Sequence, residues 1–389
     1  MLASGRGALY PSTMPVLVPD LLYDGGSFRA GLAVECGAGG RIARVGPAAE
    51  LVGAARERGD VVERLSGRAL LPGFVNAHSH AFQRLLRGRA EWRPAAEPRA
   101  DFWTWRRAMY EVALALSPDD VQDVARFCFL EMLRAGITAV GEFHYLHRDE
   151  AGRPYADPNE LAHRVVAAAA EVGIRLVLLD ACYAAGGVGR PLLSEQRRFA
   201  TPDLDAFLAG ADALAAAYRG ARAVSVGLAP HSVRAVPRGW LAELAGWAAA
   251  RDVALHIHVA EQPAEVEECR SAYGLRPVEL LAEEGVLSER LTAVHAIHVA
   301  PEEVALLGDA GVSVCACPTT ERDLGDGFVA VAELVAAGAG ICLGTDSQAV
   351  IDPLEEMRLL EYHERLRRMR RVVLAVPGAA GRLEVAPFL

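Results

Sequence analysis

The chain of 389 residues contains no lysine; all 40 of its basic side chains are arginine. That absence excludes Schiff-base chemistry, a phosphate-binding P-loop lysine and a carbamylated lysine bridging two metal ions. A GC-rich coding bias is the ordinary cause, and it also accounts for the excess of Ala, Gly and Arg. Cysteine is scarce too. The seven cysteines are odd in number and scattered, which fits reduced thiols and a cytosolic protein. Cys315-Ala316-Cys317 is the one close pair and has no second cysteine pair to complete a zinc site. No apolar run reaches membrane-spanning length, and the N-terminus lacks a charged-then-apolar leader. A net charge of −10 argues against a general nucleic-acid or membrane-surface binder. No Gly-x-Gly-x-x-Gly follows the first strand of the main domain.

Apolar residues are plentiful at 52%, enough to bury the core of one large α/β domain beside a small one. Residues 1–69 read as short strands with turns: Val16–Val18, Gly31–Val34 and Arg41–Val45, punctuated by Asp24-Gly25-Gly26 and Gly37–Gly40. From Leu70 to about residue 370 the pattern is strand, loop and helix repeated about eight times. The strand candidates are Leu71–Asn76, Ile137–Phe143, Arg175–Asp180, Val224–Leu228, Val253–Val259, Leu291–His295, Val312–Cys315 and Gly340–Leu343. Several intervening helices begin Ser-Pro, Thr-Pro or Asp-Pro, a capping residue followed by the proline tolerated in the first turn. Eight such units imply a closed (β/α)₈ barrel rather than an open doubly wound sheet.

The barrel places its chemistry at the C-terminal ends of the strands, and the polar residues fall there. His78 and His80 end the first strand; at i and i+2 of an extended chain they face one way and can reach one metal ion. His144 and Tyr145 end the second strand, and His231 follows the fourth. His258 and Glu261 close the fifth, His295 the sixth and Asp346 the eighth. Plainer readings stand beside these. Glu261 precedes Gln262-Pro263 and would serve as a helix cap, Asp346 as a turn residue, and His144 as a support for Tyr145. Arg106 would simply pack on Trp103 or Trp105. His256 reads as a hydrogen-bonded core histidine, and His147, His163, His298 and His363 as structural or surface residues.

Pro72–His80, His258-x-x-Glu261, His295 and Gly344-Thr345-Asp346-Ser347 together resemble the amidohydrolase superfamily. His80–Arg84, Phe102–Arg106, Gly141–His147, Pro230–Arg234, Cys317–Glu321 and Ile351–Glu356 narrow the resemblance to its N-formimidoyl-L-glutamate deiminases. The resemblance implies one zinc ion held by His78, His80, His258 and Asp346, with water completing the shell. It implies that Asp346 and His295 take up the water proton and that Glu261 protonates the departing nitrogen. Gln83, Arg106, Tyr145, His231 and Arg234 would bind a small dicarboxylate, the two arginines forking its two carboxylates. The implied reaction, in histidine degradation, converts N-formimidoyl-L-glutamate to N-formyl-L-glutamate and ammonia in a cytoplasmic homodimer. The alternatives are a related deaminase of a purine- or pyrimidine-type ring amine, and a truncated, inactive metal-binding remnant. Residues 371–389 are expected to start a return to the small β domain, cut short at Gly381–Leu389, which leaves that domain incomplete. The loop after Thr320, Glu321–Gly327, departs from the family's usual wording.

Overall fold

The computed structural model describes residues 15–37, 40–93, 95, 100–377 and 383–384. They form two compact units that divide between Gly73 and Phe74. In the first, β1 (Val16–Tyr23) pairs antiparallel with β2 (Phe28–Arg29) and β3 (Leu32–Cys36), and β3 pairs with β4 (Ile42–Pro47). The segment after β4, within the stretch read as short strands with turns, is instead a helix, α1 (Ala48–Arg58), capped by Gly59 at φ +74°. The chain then returns as β5 (Val62–Leu70), parallel to β1. Leu51, Val52 and Ala55 sit one helical turn apart or adjacent, so one face of α1 covers Val16 and Ala33 of the sheet.

The second unit is the expected barrel. Its strands are β6 (Phe74–Ser79), β7 (Ile137–His144), β8 (Arg175–Cys182), β9 (Val224–Pro230), β10 (Leu255–Val259), β11 (Leu291–His295), β12 (Ser313–Ala316) and β13 (Gly340–Leu343). They are parallel and hydrogen-bonded in sequence order. The first strand starts at Phe74, three residues later than the apolar run suggested, because Leu71 and Pro72 lie outside the sheet. Between the strands run α2 (Phe102–Ala115), α3 (Pro118–Arg134), α4 (Glu160–Val172), α5 (Leu204–Ala217), α6 (Arg238–Arg251), α7 (Pro263–Tyr273), α8 (Pro277–Glu283), α9 (Pro301–Asp309), α10 (Pro318–Leu324), α11 (Val331–Ala337) and α12 (Pro353–Arg368). Ser117 and Asp352 cap α3 and α12 as read. The Thr201-Pro202 pair does not cap α5; Asp203 does, accepting the Ala206 N–H at 2.7 Å. Val121, Ala125, Cys128, Phe129 and Met132 recur every three or four residues of α3, so that side turns inward. None of the described helices is long and apolar enough to cross a membrane.

Closure is decided at the seam between β6 and β13, where the only ladder contact is a parallel bridge from Ser79 to Asp346. Backbone bonds run from Thr345 and Asp346 to the His78 carbonyl (3.1 and 3.0 Å) and from His80 to the Asp346 carbonyl (3.0 Å). Buried side chains reinforce them. Asn76 donates to Thr345 Oγ1 at 2.7 Å and accepts the Thr345 N–H at 3.0 Å; Gln348 bridges Thr345 and Ser79. Ser79 in turn donates to Glu142 at 2.5 Å. Near the C-terminus, β14 (Val376–Pro377) pairs antiparallel with β15 (Leu383–Glu384); the rest of Gly381–Leu389 lies outside the described residues.

Candidate metal and catalytic site

His78 lies in β6 and His80 just past its end, where the chain is still extended, so the two rings turn the same way and their Nε2 atoms lie 3.1 Å apart. His258, the fourth residue of β10, brings its Nε2 to 3.1 Å from that of His78 and 3.3 Å from that of His80. Asp346 Oδ1, three residues past β13, is 3.3 Å from both His78 and His80. All four donor atoms lie within 4.8 Å of one another, and all four residues are buried. His80 Nδ1 donates to the Phe143 carbonyl at 3.0 Å and His258 Nδ1 to the His231 carbonyl at 2.9 Å. A carbonyl only accepts, so these rings carry their protons on Nδ1 and aim Nε2 lone pairs at one point. Converging lone pairs beside a carboxylate repel unless a cation sits among them. The three Nε2 atoms and Asp346 Oδ1 are close enough together to be ligands of one ion at ordinary zinc–ligand distances of about 2.0–2.2 Å. The four residues therefore fit a divalent metal ion.

The protonation states agree. Burial depresses the pKa of His78, pulls that of His80 down to about 3, and with neighbouring imidazoles drives that of His258 well below its usual value, so all three are neutral ligands. Burial alone would raise Asp346, but the contacts with His78, His295 and His80 outweigh it and hold the carboxyl well below its usual range. His295 behaves oppositely. Burial opposes its charge, yet the carboxylates of Glu261, Glu321 and Asp346 raise it to about 10; the charge of a divalent ion on Asp346 and the three histidines would oppose that rise and favour the neutral ring that can accept a proton. His295 and Asp346 both sit at positive φ, +72° and +43°, conformations that cost free energy and that cluster at working sites.

Above the histidines is a narrow cavity of about 40 Å³. Its lining includes Gln83, Arg106, Tyr145, His231, Arg234, Glu261 and His295 together with the ligands His80, His258 and Asp346, so those expected site residues meet in one place, and His78 is buried beneath them. Glu261 Oε1 is 3.7 Å from His295 Nε2, and its Oε2 accepts from Arg234 at 3.3 Å. Gln83 donates to the Tyr145 hydroxyl at 2.7 Å, leaving its own Oε1 without a partner. Arg106 donates to the Tyr183 hydroxyl at 2.6 Å and lies over Trp103 and Tyr110, 5.6 and 5.4 Å from the ring centres. Arg106 thus packs on the aromatic rings while also lining the cavity.

Other histidines sort by strand parity. His144 follows Phe143, whose ring faces His78, His80 and His258, and so points the opposite way, against His147. His256 is buried as expected, but its Nδ1 has no hydrogen-bond partner. His298 donates to the Asp326 carbonyl, and His163 meets the Tyr218 hydroxyl. Two site residues had no role assigned from the sequence. Glu265, fully buried, accepts from Arg234 Nε at 3.1 Å and from the Ala260 N–H at 3.0 Å. Glu321 lies 3.3 Å from His295 Nδ1. Neither lines the cavity, and nothing in the linear order pairs Glu265 with Arg234 or Glu321 with His295; the Cys317–Glu321 wording was the only signal.

An eight-stranded parallel barrel with three histidines and an aspartate gathered at the strand ends defines a metal-dependent hydrolase. The chain belongs to the amidohydrolase family, whose model matches residues 69–380. It is 42% identical over 338 residues to formimidoylglutamate deiminase of Pseudomonas aeruginosa, covering 87% of this chain and 72% of that protein. Among solved structures it resembles an amidohydrolase from Brucella melitensis, with TM-score 0.84, 36% identity, and coverage of 94% of this chain and 79% of the other. An adenosine deaminase from Xanthomonas campestris with bound zinc is similar at TM-score 0.75 and 25% identity, covering 92% and 76%.

Proposed function

We propose that this chain is a formimidoylglutamate deiminase, hydrolysing N-formimidoyl-L-glutamate to N-formyl-L-glutamate and ammonia. The observation that carries the reading is the placing of two guanidinium groups, Arg106 and Arg234, in the same small cavity as the metal-ligand cluster. A dianion needs two such forks; a ring amine needs none. The 42% identity to the Pseudomonas aeruginosa enzyme points the same way.

His78, His80, His258 and Asp346 hold one zinc ion, which when bound supplies hydroxide at neutral pH by lowering the pKa of water to about 7. The chain's own groups do the rest. Arg106 and Arg234 bind the two carboxylates, with Gln83, Tyr145 and His231 as further polar contacts, and so fix the imino carbon beside Asp346. As the water oxygen bonds to that carbon, the C=N π bond opens onto the terminal nitrogen, and the two water protons are taken up, one by His295 and one by Asp346. Both are passed on to that nitrogen, Glu261 delivering the last, and the C–N bond breaks as ammonia leaves and the formyl C=O forms. The enzyme works in histidine degradation, in the cytoplasm, as a homodimer that takes a small dicarboxylate and neither nucleic acid nor membrane.

The test is ammonia release by zinc-loaded protein from N-formimidoyl-L-glutamate, with guanine, adenine and cytosine alongside. Release from the dicarboxylate alone supports the reading. Turnover of a ring amine instead would overturn the substrate while leaving the ligand set intact.

A further inference from the structure

His295 is 1% exposed and ends β11 in a left-handed turn shared with Ala296 at φ +49°. Its Nε2 has no hydrogen-bond partner and lies 3.7 Å from Glu261 Oε1 and 3.8 Å from Asp346 Oδ2. The ring is therefore aimed between the two carboxylates that flank the reacting carbon. What aims it is on its far side, where Nδ1 is 3.3 Å from Glu321 Oε1. That same oxygen accepts the backbone N–H of Cys317 at 2.9 Å. A backbone N–H only donates, so Oε1 serves as an acceptor and the shared proton belongs on Nδ1. Glu321 is itself 1% exposed and tied to Cys317, so it offers His295 one fixed direction.

We propose that Glu321 is a positioning residue for the deimination: it holds His295 in the Nδ1–H form, with Nε2 turned toward the attacking water. The water's O–H bond then breaks toward Nε2 while its oxygen bonds to the imino carbon. A buried carboxylate holding a histidine base in its working tautomer follows the logic of the serine-hydrolase triad. The proposal rests on the deiminase reading for its substrate, though not for the geometry of the pair.

The experiment is a double-mutant cycle on zinc-loaded protein with Glu321→Gln, His295→Asn and the double variant. One oxygen serves both the Cys317 N–H and Nδ1, so Gln either keeps a neutral, weaker acceptor there or loses both contacts, and in either case the negative charge beside Nδ1 is gone. Expected in Glu321→Gln are unchanged zinc, KM within about twofold, and kcat lower by about 10–100-fold, the usual cost of losing an outer hydrogen-bond partner. In the His295→Asn background the same change costs nothing further. An unchanged kcat, or an equal loss in both backgrounds, overturns the proposal. Proton–nitrogen NMR of protein labelled with ¹⁵N-histidine gives a readout that needs no substrate. The Nδ1–H resonance that vanishes in His295→Asn is expected to vanish or shift in Glu321→Gln, and its persistence unshifted overturns the proposal. Failure to turn over N-formimidoyl-L-glutamate would sink the deiminase reading, with the NMR result still deciding the role of Glu321.

Discussion

Gly344 lies just past β13, and a Cβ added there would sit 2.8 Å from both the Cβ and the carbonyl oxygen of His78, and 3.0 Å from Cys317 Sγ. Its backbone angles are ordinary, so Gly344→Ala is a steric test of the seam with no conformational penalty. The intruding methyl has to push the His78 carbonyl, and that oxygen accepts both Thr345 and Asp346 N–H at 3.1 and 3.0 Å. Overpacking costs about 1–3 kcal/mol, and weakening two hydrogen bonds adds about 0.5–1.5 kcal/mol for each. A total near 2–6 kcal/mol, set against an unfolding entropy of about 0.6 kcal/mol/K for roughly 300 residues, lowers Tm by about 3–10 °C. The push also displaces two metal ligands, His78 directly and Asp346 through its backbone. Bound zinc should therefore fall together with Tm, measured by elemental analysis and thermal unfolding on the same sample. The control is Gly246→Ala, on an exposed face of α6 with no atom within 4 Å of the new methyl. It should leave zinc unchanged and stabilise by about 0.5–1 kcal/mol. A Gly344→Ala protein with full zinc and an unaltered Tm would refute the account of the seam.

Removing zinc with a chelator should lower Tm by about 6 °C if the ion is present at about 1,000 times its Kd, and restoring zinc should reverse the shift. An identical melt with and without chelator would count against the ligand set. Glu261→Gln should keep its zinc and lose about 10²–10⁴-fold in kcat for ammonia release, since it removes a proton donor and no ligand. Arg106→Met should raise KM for the dicarboxylate and cut kcat/KM by about 10–100-fold, the worth of a charge-assisted hydrogen bond. Retained kcat/KM would remove Arg106 from substrate binding. Burial raises Glu356, which accepts from Thr319 Oγ1 and N, to about 8. The folded protein thus holds a proton that the unfolded chain releases near its ordinary value of 4.5, so this group's contribution to stability is lost as pH rises through about 8. Tm measured from pH 5 to 9 should fall less steeply in Glu356→Gln than in the parent.

The eight-unit rhythm was legible in the linear chain because strands and helices write their periods locally, and Leu291–His295 and Gly340–Leu343 were read to the residue. The absence of lysine was equally plain. The pairing of His78 with His80 needed only the alternation of side chains along an extended strand. Tertiary structure alone decided the rest. It placed Asp346 beside His78 and His80 by closing the seam, a contact between residues some 270 positions apart. It turned His144 outward, and it bound Arg234 to Glu265 and His295 to Glu321. Local pattern records which face of an element is buried. It does not record which distant carboxylate meets a given imidazole, because that depends on how eight strands stagger and close around a common axis.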